Sequence, residues 1–321
     1  MLGQALGDAL GFVVEAEPPL VAREYVEDWL RRGRAGDRSS PHLPFGQYTD
    51  DTQLARELLC SFREARGWSP AVYADRLARL FGEKRDVGAG PGTRGAAQRL
   101  LEGIHWSASG TPPPYAGNGS AMRAGPLGLL ITDQRALTQA AREQSRITHL
   151  DPRCGAGSVA VSLAVAIASR DRRVVPAEFV DEVASAIEQD DGSFSHAVRE
   201  LSSWMSLEPA AAATRLQESR LDPAHPIWQG ISAFVVPSVL WSLYAFLRSP
   251  DDYWETVCTA IAVGGDTDTM ASMAGAISGA RAGAGALPEK LVARVNDRGE
   301  WGADALVELA RDCAALVEED R

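Results

Sequence analysis

The sequence predicts an all-α protein. Three observations carry this. Apolar residues recur at three- and four-residue spacing along most of the chain. Alternating β-branched runs are almost absent. Turn-forming clusters fall between the periodic segments and not inside them. In chain order, Leu54, Leu58, Leu59 and Phe62 mark the first clear face, and Leu77, Leu80 and Phe81 the next. Leu100, Leu101 and Ile104 predict another, followed by a short helix at 127–130 and a longer one over 134–147. Val159, Leu163, Val165 and Ile167 come next, then Phe179, Val183 and Ile187. The uncharged stretch 231–247 is short for a membrane span and contains Pro237, so it reads as a buried core helix. Met270, Met273 and Ile277, then Leu306, Leu309 and Leu316, complete the series. Breaks fall at 32–44, 84–92, 109–117, 190–192 and 221–226. The sum is roughly a dozen helices. No linker and no fixed-period repeat divides them, so residues 1–321 read as one domain.

Composition excludes several functions. With 321 residues, 45% of them hydrophobic, the chain can bury a large core. The net charge of −11 argues against broad electrostatic binding to nucleic acid or to an anionic membrane. Cys60, Cys154, Cys258 and Cys313 are far apart and form no CxxC pair. They read as free thiols of a reducing, cytoplasmic compartment, and no signal peptide precedes the first helix.

The chemistry concentrates in two segments at opposite ends of the chain, Tyr48-Thr49-Asp50-Asp51-Thr52 and Gly264-Gly265-Asp266-Thr267-Asp268-Thr269. Each stands before a helix, expected from Gln53 and from Met270. One such residue is an ordinary N-cap, and acids suit the helix dipole. Capping, however, needs one residue and not four. Four carboxylates brought together repel unless a cation sits among them, and all-oxygen donors select Mg²⁺, Mn²⁺ or Ca²⁺. Gly264-Gly265 clears side chains from beside the cluster, as close approach of an ion requires. Asp-x-Asp-x-Thr is also the nucleophile motif of haloacid-dehalogenase-type phosphatases, but there it follows a strand near the start of an α/β domain.

Near the N-terminus, Asp8, Gly11 and Glu15 are spaced to share one helical face, and Glu15 sits among Phe12, Val13, Val14 and Ala16. An apolar setting tunes a carboxyl for acid–base work. Gly117-Asn118-Gly119-Ser120 before a helix offers backbone N–H groups to a phosphate. Gly90 to Gly95 match GxGxxG, but no strand precedes them, which excludes a dinucleotide fold. His149 ends the 134–147 helix region as a lone histidine.

Together these motifs resemble the ADP-ribosylglycohydrolase family, which includes the dinitrogenase-reductase-activating glycohydrolases. The matches run in order: Gly7-Asp8-Ala9-Leu10-Gly11 with Glu15, Tyr48 to Thr52, Gly88-x-Gly90-x-x-Thr93, Gly117-Asn118-Gly119-Ser120-Ala121-Met122-Arg123, Thr148-His149, and Gly264 to Thr269. The resemblance covers nearly the whole chain. It implies a compact orthogonal bundle of helices and a hydrolase that removes ADP-ribose from a modified acceptor. It implies two Mg²⁺ or Mn²⁺ ions, held by Thr49, Asp50, Asp51, Asp266, Asp268 and Thr269. Glu15, Asp51 and Asp268 would be the catalytic groups, with Glu15 as acid–base. Gly117, Asn118, Gly119 and Ser120 would hold the pyrophosphate, with Gly88, Gly90, Thr93, Met122 and His149 as further substrate positions.

Gly7-Asp8-x-x-Gly11-x-x-x-Glu15-Ala16 and Met273-Ala274-Gly275-Ala276-Ile277 lean towards the branch acting on O-linked ADP-ribose. That branch acts on ADP-ribosyl-serine, poly(ADP-ribose) and O-acetyl-ADP-ribose. Arginine-linked ADP-ribose, an ADP-ribosylated nucleic-acid base, and a non-catalytic member of the family remain alternatives. Pro114-Tyr115-Ala116 stands where O-linked relatives often have a Gly-Ser stretch. The substrate is the expected partner; no obligate protein partner is expected, and the chain reads as a monomer.

Overall fold

The protein is described by a computed structural model covering residues 1–40, 43–170, 173–219, 221 and 228–319. Among the described residues, sixteen α-helices, a few 3₁₀ turns and one π-helical turn (Val26–Leu30) make up the fold, and strand pairing is limited to isolated bridges. The helices are α1 (Leu2–Gly11), α2 (Pro19–Tyr25), α3 (Asp50–Ala65), α4 (Pro70–Gly82), α5 (Pro91–Leu101), α6 (Leu127–Leu130), α7 (Gln134–Thr148) and α8 (Pro152–Ala168). Then come α9 (Pro176–Ile187), α10 (Gly192–Trp204), α11 (Pro209–Glu218), α12 (Val235–Arg248), α13 (Tyr253–Ile261), α14 (Thr267–Ala282), α15 (Glu289–Val292) and α16 (Ala303–Glu319).

Local chemistry explains the helix starts. Six helices, α2, α4, α5, α8, α9 and α11, open on Pro, whose missing N–H has no partner to lose there. Ser69, Asp133, Asp151, Asp191 and Asp252 cap α4, α7, α8, α10 and α13 with side-chain oxygens. Helix α12 is buried from Val235 to Leu247, and Pro237 sits in its first turn, where a helix tolerates it. No helix among the described residues is long and apolar enough to cross a membrane. All four cysteines are buried and free.

The contact that builds the site is α1 against α14. Gly3, Gly7 and Gly11 recur every four residues on α1. A Cβ on each would lie 2.5 Å from Gly275 O, 2.1 Å from Ala271 O and 2.3 Å from Thr267 O. The two helices therefore run antiparallel, backbone against backbone. That packing carries the start of α14 to the end of α1, where α1 also meets the start of α3 through Asp8. The two acidic segments converge there, and Thr269 Oγ1 donates to Asp51 Oδ2 at 3.2 Å.

Several expectations need correction. Helices α3 and α14 begin at Asp50 and Thr267, so Asp50, Asp51 and Asp268 lie in the first turns instead of preceding them, and Asp266 is the N-cap of α14. Helix α1 stops at Gly11, a 3₁₀ turn covers Phe12–Val14, and Glu15 is extended at ψ 137. Glu15 thus shares no helical face with Asp8, because Ala16, at φ 62, turns to donate its N–H to Gly265 O at 2.8 Å. The face predicted from Leu100, Leu101 and Ile104 is not core. Leu101 and Ile104 are 50% and 43% exposed, since α5 packs through Gly92, Thr93, Ala96 and Ala97. The predicted break at 221–226 lies outside the described residues apart from Leu221, as do residues 41 and 42 of the break at 32–44.

Candidate active site

At the start of α3 the capping work is done by other groups than the two aspartates. Thr49 Oγ1 accepts from Asp51 N at 3.3 Å. Asp8, wholly buried on α1, accepts from Thr49 N at 2.9 Å and Thr49 Oγ1 at 3.0 Å. It also accepts from Thr52 N at 3.1 Å and Thr52 Oγ1 at 2.6 Å. Asp50 and Asp51 are left free of that duty. Asp51 Oδ2 lies within reach of the Thr49 and Thr269 hydroxyls, while its buried Oδ1 has no hydrogen-bond partner among the described residues.

Helix α14 begins differently. Asp266 occupies the N-cap but makes no side-chain cap bond; its Oδ2 accepts from Asn118 Nδ2. Asp268 Oδ1 is buried and without a hydrogen-bond partner among the described residues. Glu15, Asp266 and Asp268 each bring an oxygen within 4.8 Å of the others. Gly264 and Gly265 adopt φ +72 and +87. A Cβ on Gly265 would lie 2.1 Å from Ile231 O, and one on Gly264 2.7 Å from Pro19 N. The glycines therefore make room for neighbouring backbone, which corrects the expectation that they make room for an ion.

The electrostatics follow from this crowding. Burial first, and neighbouring carboxylates second, push Asp50, Asp51 and Asp268 well above the usual range. Burial, then Asp266 and Asp8, raise Glu15 to about 7. Asp8 rises to about 6 by burial, in spite of its four hydrogen bonds. Two buried, unpartnered carboxylate oxygens among mutually repelling oxygen donors fit a hard divalent cation.

The cluster forms one end of a cavity of about 460 Å³, within the range of small-molecule sites. Glu15, Asp50, Asp51, Asp266, Asp268 and Thr269 line it, and so do Gly88, Gly90, Thr93, Gly117, Asn118, Gly119, Met122 and His149. Two sequence candidates do not reach it. Thr49 lies behind Asp51 against Asp8, and Ser120 donates to Cys154 O at 3.2 Å and accepts from Ser145 Oγ at 3.1 Å. Asn118 N–H donates to Ala233 O at 3.0 Å, so that amide is engaged and does not await a phosphate. Buried Arg123 holds the Asn118 loop to α7 through Gly119 O, Gln144 and Thr148 Oγ1.

Sequence reasoning missed the aromatic walls. Tyr115 stacks on His149 with ring centroids 5.8 Å apart, and its hydroxyl accepts from Gly92 N at 3.2 Å. Trp228 and Phe234 line the same cavity. Burial and Arg123 lower His149 to about 3, so its ring is neutral at ordinary pH. Tyr115 was open to detection, since an aromatic ring two residues before Gly117 stands next to any ligand of that loop. Phe234 falls in the stretch 231–247 that reads as a core helix, but α12 begins at Val235 and leaves Phe234 at its N-cap, facing the cavity. Trp228 precedes that stretch and carries no periodic signal.

An all-α frame with two acidic helix starts facing one concave site offers the oxygen donors that a hard cation takes. Comparison places the chain among hydrolases. The family model described as ADP-ribosylglycohydrolase matches residues 1–321, and the protein belongs to that family. It is similar to ADP-ribosylhydrolase ARH3 of Xenopus tropicalis, 27% identical over 94% of this chain and 92% of that one. It is also similar to ADP-ribosylarginine hydrolase Tri1 of Pseudomonas putida, 28% identical over 92% of this chain and 72% of that one. A solved structure titled ADP-ribosylglycohydrolase-related protein complex superposes with a TM-score of 0.71 at 27% identity, over 98% of this chain and 95% of that chain. The protein is thus an all-α hydrolase of ADP-ribose linkages.

Proposed function

We propose that the protein uses two divalent cations, Mg²⁺ or Mn²⁺, to release ADP-ribose from an O-linked acceptor: serine, poly(ADP-ribose) or O-acetyl-ADP-ribose. The observation that carries this reading is the pair of unpartnered buried oxygens, Asp51 Oδ1 and Asp268 Oδ1, from the starts of two helices that border one cavity with Glu15. Asp50, Asp51, Asp266, Asp268 and Thr269 would hold the cations, with Thr49 supporting Asp51 from behind. When bound, such ions supply positive charge that orients ribose hydroxyls and activates water.

The chain's own residues do the rest. Glu15, raised to about 7, exists in both protonation states near neutrality. It can protonate the leaving oxygen and then take a proton from the attacking water. Asp51 and Asp268, whose side chains border the cavity, would also offset the positive charge that develops at the anomeric carbon as the bond breaks. Tyr115 and His149 offer a stacked apolar wall, and the neutral His149 adds no charge. Asn118 orients Asp266.

The lean to O-linked acceptors rests on the Gly7 to Ala16 and Met273 to Ile277 runs and on the ARH3 relatives. A second reading, an arginine-linked substrate, is favoured by the comparable identity to Tri1. Release of free ADP-ribose from serine-linked, arginine-linked, polymeric, O-acetyl and DNA-linked substrates tests both. The proposal expects metal-dependent release from an O-linked member and none with chelator. Release from the arginine conjugate alone would replace the first reading by the second.

A further inference from the structure

The loop between α15 and α16 reaches the cavity wall through a chain of hydrogen bonds. Asp297 is 2% exposed. Its carboxylate accepts from Gln53 Nε2 at 3.0 and 2.9 Å, from Arg56 Nη1 at 2.8 Å and from Gln47 Nε2 at 3.3 Å. Gln53 passes the connection on. Its Oε1 accepts from Val87 N at 3.0 Å, and Val87 O accepts from Asp50 N at 2.7 Å. Val87 is therefore held at both its N–H and its C=O. The next residue is Gly88, at φ +85, which lines the cavity; a Cβ there would lie 3.4 Å from Asp50 Oδ1. Arg298, beside Asp297, donates to the carbonyls of Arg85 at 3.0 Å and Asp86 at 3.4 Å.

We propose that Gln53 and Asp297 are positioning residues that fix the 85–88 segment against Asp50 and thereby set the grip of the cavity on ADP-ribose. Neither side chain lines the cavity. The inference rests on the reading of that cavity as an ADP-ribose site. Its logic is geometric. A buried N–H that loses its acceptor does not stay in place without cost, and here that N–H belongs to the residue before the wall. Arg56 provides the contrast. It pairs with Asp297 and with Glu57, but it makes no bond to 85–88. Removing it weakens the fold and leaves the wall tied.

The test compares three full-length variants with the native protein: Gln53→Met, Arg56→Met, and the exchanged pair Gln53→Glu with Asp297→Asn. The exchange keeps an acceptor for Val87 N–H and a donor–acceptor contact between the two side chains, and gives up the donation of Gln53 Nε2 to Arg85 O at 3.0 Å. Two readouts are taken: amide hydrogen exchange over 85–88, and ADP-ribose affinity by calorimetry with Mg²⁺ present. Gln53→Met is expected to speed exchange there and to raise Kd about five- to tenfold, the scale of one hydrogen bond. Arg56→Met is expected to lower Tm while leaving both readouts near native. The exchanged pair should recover part of the protection. Native protection and affinity in Gln53→Met would overturn the proposal, as would equal losses in Gln53→Met and Arg56→Met. If the native protein fails to bind ADP-ribose, the ligand reading falls, while the exchange data still decide whether Gln53 holds the wall.

Discussion

The starts of α3 and α14 carry nearly the same residues and are held in opposite ways. At α3 side chains satisfy the helix. Thr49 caps it, and Asp8 from α1 accepts two N–H groups and two hydroxyls. At α14 the N-cap side chain makes no cap bond among the described residues; backbone holds the turn, through Gly264 and Gly265 packed on Ile231 and Glu17. The difference teaches that the aspartates of the two motifs are not there for the helices. In one case another carboxylate does that work, and in the other backbone contacts do. What the five cavity carboxylates share is mutual repulsion in a buried place.

The sharpest break of this comparison is Asp268→Ala. Turnover should fall by on the order of a thousandfold, as when a charge that serves the transition state is removed. The metal-free variant should melt at or above the native temperature, because a buried repelling charge has gone. Steady-state kinetics and thermal melts with chelator check both halves. Next in size is Glu15→Gln, expected to cost about a hundredfold in turnover with ADP-ribose affinity little changed. A full-rate variant would remove Glu15 from the acid–base role.

A third pair addresses the two helix starts directly. Asp8→Asn should destabilise the fold by about 1–3 kcal/mol, since Thr49 and Thr52 lose acceptors at α3. Asp266→Asn should leave metal-free stability at or above native, since α14 draws no cap bond from it, Asn can still accept from Asn118, and a charge that repels its neighbours has gone. Equal losses in urea melts would erase the distinction.

The smallest effect is on pH. Asp8 and Glu15 are raised to about 6 and 7, so between roughly pH 4 and 7 the metal-free native state binds more protons than the unfolded chain. Their contribution is full at the acid end and is lost as pH rises through 7. Mg²⁺ should therefore raise Tm more at pH 8 than at pH 5. The reverse order would contradict the repulsion.

Much of this site was legible because its residues are local in sequence. Asp50 and Asp51, and Asp266 and Asp268, come in tight pairs whose excess over capping needs is visible without a fold. The helical class was legible for the same reason, as periodicity is local. What was not legible depends on distant partners. Glu15 leaves the helix because Ala16 bonds Gly265, far along the chain. Asp8 matters because Thr49 and Thr52 arrive beside it. The Leu101 and Ile104 stripe looked like core, but the small residues of α5 take that side. Phe234 looked like part of the core helix over 231–247, but it stands at the N-cap of α12 and lines the cavity, as does Trp228 from the segment before it.

The most direct test of the central claim, that two helix starts form one cation centre, is a Mn²⁺ titration followed by electron paramagnetic resonance. Native protein, Asp51→Asn and Asp268→Ala would be compared, each first shown to be folded. The account predicts that the native protein takes up Mn²⁺ and that both substitutions, one on α3 and one on α14, weaken uptake markedly. Native uptake untouched by either substitution, or no uptake by the native protein, would contradict it.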